Sequence, residues 1–245
     1  MIDRAPLYER LRRAPSASTV PGSLPVLFFG DLFSARVATV GLNPSNQEYT
    51  TRDGAMLTGS RQRFATLATL GASDRQSLTD AQADEAIEWM RAYFQPGQPV
   101  YSWFASLGRV VSGFDASLAE GSAAHLDLIQ EATKPTWSAL PDGEREALLR
   151  ADLPFLEWLI RGFPLEVVIC DGATVGRWVR QRLGVEVAES GEVALIKWWT
   201  GTADVDGRHV GFAGWNRPLI RPTGLKGPDQ VELGRMLRTT LDGMP

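Results

Sequence analysis

Residues 35–45 read Ala-Arg-Val-Ala-Thr-Val-Gly-Leu-Asn-Pro-Ser, a β-rich apolar run that stops abruptly at a turn sequence. The run predicts a strand that delivers one polar side chain, Asn43, to its own carboxyl end. In open α/β sheets that end is where ligands bind, and here Gly41 allows close backbone approach while Pro44 fixes the exit direction. Asn43 is therefore the first active-site candidate. The alternative is that Asn-Pro-Ser only starts a turn and caps the next segment.

A matching feature lies near the other end of the chain. Residues 209–215 indicate a short buried strand that runs directly into Asn216, with Pro218 two positions later. Two strands of the predicted sheet therefore end in Asn followed closely by Pro.

With both motifs in view, the chain resembles the uracil-DNA glycosylase superfamily. Its first motif is a strand ending in Gly-x-Asn/Asp-Pro, and its last is a strand ending in His or Asn with prolines and an apolar wedge behind it. Residues 125–135 resemble the middle, base-reading strand of the mismatch-specific and thymine-DNA glycosylase branch, and residues 165–178 resemble the remaining core strand with its Gly-led helix. The resemblance covers roughly residues 25–240.

The resemblance implies an α/β fold, a three-layer α/β/α sandwich around a mainly parallel sheet. We expect four core strands at residues 36–42, 125–131, 166–171 and 209–215, with extra hairpin strands. A further strand at 25–29 and helices at 61–70 and 79–94 follow from the spacing of apolar residues. We expect an N-terminal arm over residues 1–24 and a single domain over 25–245.

The chemistry of N-glycosidic cleavage assigns roles to the two asparagines. The sugar develops oxocarbenium character while the base takes negative charge, so a glycosylase needs a positioned water and donors at a base oxygen. Asn43 can orient a water but, being an amide, cannot take up its proton. Asn216 would donate to the base oxygen, although a purely turn-capping role is the alternative. The backbone N–H groups of Ser45 and Asn46 can assist.

Three residues are candidates for recognition of the base. By the resemblance, His125 and Asp127 lie on the base-reading strand, and Asp127 stands where uracil readers often have Asn. A carboxylate accepts hydrogen bonds, so it would suit an amino-bearing base such as a cytosine derivative. Alternatively, Asp127 is a strand-end residue paired with a nearby arginine. Phe64 would stack on the flipped base, unless it is simply a core aromatic.

DNA contacts are expected from the segment after the second motif. Residues 207–228 contain no Asp or Glu, whereas the whole chain has a formal net charge of -4. Such a run is a phosphate-binding surface or simply a solvated face. The expected contact residues are Leu219 or Ile220 as the apolar wedge, and Arg217, Arg221 and Lys226 as cations.

Composition limits the other possibilities. The chain of 245 residues has one cysteine, Cys170, and two histidines far apart in sequence, which argues against an iron-sulfur cluster and a dedicated zinc site. We therefore expect neither a metal nor a cofactor. No apolar run approaches the length of about 18 to 20 residues that crosses a bilayer. We expect a cytoplasmic monomer without a membrane partner.

The sequence thus predicts a monofunctional DNA glycosylase that acts on a flipped-out uracil or modified pyrimidine in single- or double-stranded DNA. Its biological setting would be base-excision repair or defence against phage DNA that carries modified bases. The alternative is a non-catalytic nucleotide or nucleic-acid binding protein on the same fold. An unrelated α/β hydrolase is disfavoured because the chain has no Gly-x-Ser-x-Gly elbow.

Overall fold

The structure, a computed structural model, describes residues 3–219 and 223–244. These residues form an α/β fold with one six-stranded sheet and seven α-helices. The strands are β1 (Val37–Gly41), β2 (Ala123–Asp127), β3 (Val167–Asp171), β4 (Glu186–Val193), β5 (Ile196–Val205) and β6 (Arg208–Trp215). The helices are α1 (Ala5–Arg12), α2 (Leu67–Leu70), α3 (Asp80–Arg91), α4 (Phe104–Ser112), α5 (Asp142–Gly162), α6 (Ala173–Leu183) and α7 (Gly227–Asp242).

The strand order across the sheet is β2-β1-β3-β6-β5-β4. The pairs β2-β1, β1-β3 and β3-β6 are parallel, and β6-β5 and β5-β4 are antiparallel. The strands β1 and β2 are buried along their whole length, which fits the valines of β1 and the two alanines and the leucine of β2. The sheet is therefore mainly parallel, and its carboxyl edge brings together the ends of four strands.

Three expectations about the elements need correction. The strand β2 ends at Asp127 and not at residue 131, so the polar residues that follow lie in the loop. The expected strand at 25–29 is an extended segment with one bridge, between Phe29 and His125. The expected helix at 61–70 is reduced to a 3-10 turn at Gly59–Arg61 and the single turn α2.

The N-terminal arm packs into the same core as the sheet. Leu7 and Leu11 of α1 are fully buried. Arg10, between them, is also buried and donates to Gln130, Glu131 and Asp152. The arm therefore reaches the loop that follows β2.

In the part of the chain that the structure describes, no helix is both long and apolar enough to span a membrane.

Candidate active site

The carboxyl ends of three neighbouring strands meet at one place. Gly41 at the end of β1 pairs in register with Asp127 at the end of β2, and β3 on the other side ends at Asp171. Both carboxylates are buried. This edge is where ligands bind in open α/β sheets, so it is the candidate active site.

The Asn43 side chain is fixed in one orientation. Its Nδ2 donates to the carbonyl oxygens of Pro44 at 3.1 Å and Glu131 at 3.3 Å, and to Thr133 Oγ1 at 3.3 Å. Because carbonyl oxygens only accept, the nitrogen must face them. The Oδ1 atom accepts from no residue that the structure describes and remains an acceptor for a ligand.

The turn after Asn43 presents backbone donors. Ser45 Oγ accepts from the Gln47 N–H and so caps the 3-10 turn Asn46–Glu48. Within residues 3–219 and 223–244, the N–H groups of Ser45 and Asn46 have no hydrogen-bond acceptor. These two donors are free to bind a ligand, and their contact with a base remains a prediction.

His125 and Asp127 form a buried pair beside Gly41. The Thr39 hydroxyl and His125 Nδ1 share a hydrogen bond of 2.8 Å, and Nε2 lies 3.4 Å from Asp127 Oδ1. The Nε2 atom has no hydrogen-bond partner among the described residues. Burial raises the pKa of the Asp127 carboxyl above its usual range, against the opposing effect of His125.

Gly41 makes this arrangement possible. A Cβ atom at position 41 would lie 2.5 Å from Asp127 Oδ1 and 3.0 Å from the His125 ring. The missing side chain therefore lets the carboxyl group of Asp127 lie directly against β1. The sequence identified this glycine as a site of close approach, but the group that approaches is Asp127.

The expected pairing of Asp127 with an arginine is not found among the described residues, where the partner within ion-pair distance is His125. A buried acid whose pKa is shifted by burial and by a specific partner is a candidate for a functional site.

Glu48 is a buried acid that sequence reasoning missed. Its Oε2 accepts from the Tyr93 hydroxyl at 2.8 Å, and Arg63 Nε lies 3.8 Å from the same atom. Its Oε1 is buried without a described partner. Burial raises its pKa to about 8, and the Asp127 charge acts in the same direction. Its only sequence signal is its position, five residues after Asn43.

Asp171 is the second residue that the sequence analysis did not select. Its Oδ1 accepts from Trp215 Nε1 at 2.7 Å and from the Leu219 N–H at 3.0 Å. Burial raises its pKa to about 6, although these two hydrogen bonds oppose the shift. It ends an apolar strand just as Asp127 does, so the reasoning applied to Asn43 could have found it.

Asn216 is held in a turn and does not meet Asn43. Its Oδ1 accepts from the Lys197 N–H at 2.9 Å, so the side chain turns towards β5. The strands β1 and β6 are separated by β3, which places them about 9.6 Å apart at the usual strand spacing. In the structure Asn216 therefore acts as a turn-capping residue. Its contact with a base remains a prediction.

The stacking role expected for Phe64 conflicts with the structure. The Phe64 ring is 1% exposed and is stacked on Tyr93 at 5.0 Å between centroids, with Tyr49 at 5.7 Å and Phe29 at 5.3 Å. A base cannot reach either face of this ring. Phe64 is a core aromatic, and the cluster it joins supports Glu48 and His125.

The residues expected to contact DNA differ in their exposure to solvent. Arg217 and Lys226 are exposed. The Leu219 side chain is 5% exposed, so a wedge role requires it to leave its present position. Ile220 and Arg221 lie outside the described residues.

A buried ionic network supports the loop after β2. Glu131 accepts from Arg75 at 2.8 and 3.0 Å and from Arg10 at 3.1 Å, and Arg10 also binds Asp152 at 2.9 Å. The arginines hold the pKa of Glu131 below its usual range despite burial. Since the Glu131 carbonyl accepts from Asn43, the network helps to position Asn43.

Among the residues with described positions, no group of three or more His, Cys, Asp or Glu side chains is arranged to hold a metal ion. Cys170 is buried in β3, and burial raises the pKa of its thiol far above the usual range. It is a core residue here.

Comparison with known proteins does not identify a family for this chain. A scan against protein-family models finds no match for this chain, and a search of curated proteins finds none either. The resemblance to the uracil-DNA glycosylase superfamily therefore remains a prediction drawn from the motifs and is tested only by experiment.

Proposed function

We propose that this protein is a monofunctional DNA glycosylase that hydrolyses the N-glycosidic bond of a flipped-out uracil or modified pyrimidine. The observation that carries the proposal is the Asn43 amide, whose nitrogen is held by two carbonyl oxygens while Oδ1 faces no described donor. An acceptor fixed in this way is suited to orient a water molecule. It stands at the sheet edge where the base would bind.

The strand arrangement supports the fold that this function implies. The four parallel strands β2, β1, β3 and β6 lie side by side, and two of them lead into Asn43 and Asn216. A side chain at Gly176 of α6 would meet Trp199, whereas one at Gly211 of β6 would meet Leu241 of α7. We interpret these contacts as a three-layer α/β/α sandwich of the uracil-DNA glycosylase type.

The reaction assigns a task to each group. Asn43 Oδ1 accepts a hydrogen bond from water and directs the water oxygen at C1′ of the sugar. The N–H groups of Ser45 and Asn46 stabilise the charge that develops on the base oxygen. The proton of the water leaves to solvent, because an amide cannot take it up.

DNA binding rests on local charge. Arg217, two residues after the end of β6, and Lys226, at the N-cap of α7, are exposed and lie in a segment without acidic residues. Phosphate contacts of this kind supply most of the affinity for DNA, and extrusion of a base costs a few kcal/mol. Flipping is therefore expected to be easiest in single-stranded or mismatched substrates.

The test is base release from oligonucleotides. Purified protein, without added metal or nucleotide cofactor, is incubated with single- and double-stranded substrates that contain uracil, thymine mismatches or 5-substituted cytosines, and abasic sites are cleaved with alkali. We expect strand cleavage on at least one substrate and its loss in Asn43→Ala. Gln181→Ala, an exposed amide on α6, is the control. Full activity in Asn43→Ala refutes the assigned role.

The same experiment separates catalysis from binding. If no base is released but the oligonucleotides are retained in a mobility-shift assay, the chain is a binding protein on this fold. A DNA adduct trapped by borohydride would overturn the monofunctional mechanism, since it requires an amine nucleophile.

A further inference from the structure

Three buried carboxyl groups lie at the carboxyl ends of β2 and β3 and in the turn after β1, and one of them, Asp127, lies directly against Gly41. Asp127 ends β2, Asp171 ends β3, and Glu48 lies in the turn after Asn43. His125 Nε2 lies 3.4 Å from Asp127, and Arg63 Nε lies 3.8 Å from Glu48. All three acids are buried, and the charge of Asp127 raises the pKa of both Glu48 and Asp171, so the site disfavours ionisation of all three groups at once.

Asp127 differs from the other two acids in its hydrogen bonds. Asp171 accepts from Trp215 and Leu219, and Glu48 accepts from Tyr93. The Asp127 carboxyl oxygens accept no hydrogen bond of normal geometry from the described residues, and the nearest donor, His125 Nε2, lies 3.4 Å from Oδ1. The adjacent His125 Nε2 is fully buried and also unpartnered. A polar pair left unsatisfied at the carboxyl edge of a sheet points to a ligand that completes it.

We propose, on the basis of the proposed glycosylase function, that protonated Asp127 is the general acid of the reaction and donates its proton to N3 of a cytosine-type base. The same carboxyl group presents one donor and one acceptor. The donor faces N3, and the other oxygen accepts from the exocyclic N4 amino group. His125 and Gly41 hold the group at the carboxyl edge of the sheet, where Asp127 is 3% exposed, so contact with the base requires the residues that cover it to move.

The bond between C1′ and N1 breaks, and its electron pair stays with the base. The proton of Asp127 moves to N3, so the base departs neutral. The water oriented by Asn43 bonds to C1′ and releases one proton to solvent, and Asp127 is reprotonated from solvent.

The need for an acid singles out cytosine derivatives. A departing uracil spreads its negative charge over two carbonyl groups, whereas cytosine has only one. A cytosine-type base is therefore the poorer leaving group and gains more from protonation. N3 of cytosine is a basic nitrogen, while N3 of uracil already carries a hydrogen.

Two measurements test the proposal. The first compares wild type with Asp127→Asn in single-turnover release of 5-hydroxymethylcytosine from single-stranded DNA between pH 5 and 9. An amide can form the same two hydrogen bonds but supplies no proton. We expect the rate to fall about 10²- to 10⁴-fold, the usual range for general acid catalysis, with little change in binding. The wild-type rate should decrease as pH rises, and the variant should lose this dependence.

The second measurement leaves the protein unchanged. A substrate with 3-deazacytosine keeps the amino group but has a carbon at position 3, so it cannot accept the proton. We expect wild type to bind it and to cleave it at least 100-fold more slowly than cytosine with the same 5-substituent. Asp242→Asn, at the exposed end of α7, is the matched control and should behave as wild type.

The outcomes separate the two levels of the proposal. Equal cleavage of the 3-deaza substrate, or an Asp127→Asn rate equal to wild type, overturns the acid role while the glycosylase function stands. Release of uracil without release of any cytosine derivative does the same. Absence of base release from every substrate overturns the proposed function itself.

Discussion

The side-chain amide of Asn43 donates to the backbone carbonyl of Glu131 at 3.3 Å, so the loop after β2 orients the residue that follows β1. This contact also determines which side chain position 43 can carry. The oxygens of Pro44 and Glu131 accept hydrogen bonds and repel a negative charge.

The first prediction concerns a carboxylate at position 43. In Asn43→Asp, a carboxylate oxygen would face two carbonyl oxygens, so a gain of basicity is offset by lost hydrogen bonds. We expect a stability loss of about 1–3 kcal/mol in urea unfolding and less base release than in wild type. Asn43→Ala, which removes the contact without adding charge, serves as the control. Faster base release in Asn43→Asp would contradict the orientation described for Asn43.

The second prediction concerns the arginines beneath that loop. Arg75→Met removes one cation from Glu131 and leaves a buried carboxylate with Arg10 and the Thr19 hydroxyl as its described partners. Breaking a buried ion pair in this way typically costs about 3–5 kcal/mol. We expect a matching fall in the free energy of unfolding, together with slower base release.

The control for this change is Arg182→Met, which alters a largely exposed pair with Glu157. A surface pair is worth about 0–1 kcal/mol, so stability should change little. Equal losses in the two variants would mean that the buried network does not stabilise the fold.

The third prediction is a pH dependence of stability that arises from Glu48. Burial raises its pKa in the folded state to about 8, above the value in the unfolded chain. The folded state then binds a proton that the unfolded state releases, so the stabilising contribution is present at low pH and is lost as pH rises towards 8. Glu48→Gln should reduce this decline in the free energy of unfolding between pH 5 and 9. An unchanged slope would show that other groups cause it.

The fourth prediction concerns Gly41→Ala. The added methyl group would lie 2.5 Å from Asp127 Oδ1 and must displace that carboxyl group. Overpacking of this kind costs about 1–3 kcal/mol, and base release should fall because Asp127 moves. Gly143→Ala in the first turn of α5 meets no atom within 4 Å and is the matched control. Similar stability and activity in both variants would argue against close packing at Gly41.

The sequence predicted the strands and their edge better than the side-chain partners. The strands β1, β3 and β6 were found because apolar runs end at polar turn residues, which is a local signal. The end of β2 was placed four residues too late, since Leu128 and Ile129 continue the apolar run after the last strand residue. Only the pairing with β1 ends the strand at Asp127.

Contacts between segments distant in sequence could not be predicted from local sequence patterns. Phe64 follows two arginines with a glutamine between them, a context that fits an exposed aromatic, yet three rings from distant segments enclose it. Glu48 was missed because nothing in its neighbours indicates that Tyr93 and Asp127 lie beside it. Whether an acidic side chain is buried depends on which distant segments of the chain pack against it.

Arg10 makes the carboxyl edge depend on the first residues of the chain. A polypeptide that begins at residue 25 would keep every strand and every polar group placed at the candidate site. It would nevertheless leave Asp152 and Glu131 without the guanidinium between them. We therefore expect fragment complementation. A separate peptide of residues 1–24 should bind the shortened chain and restore its folding and base release.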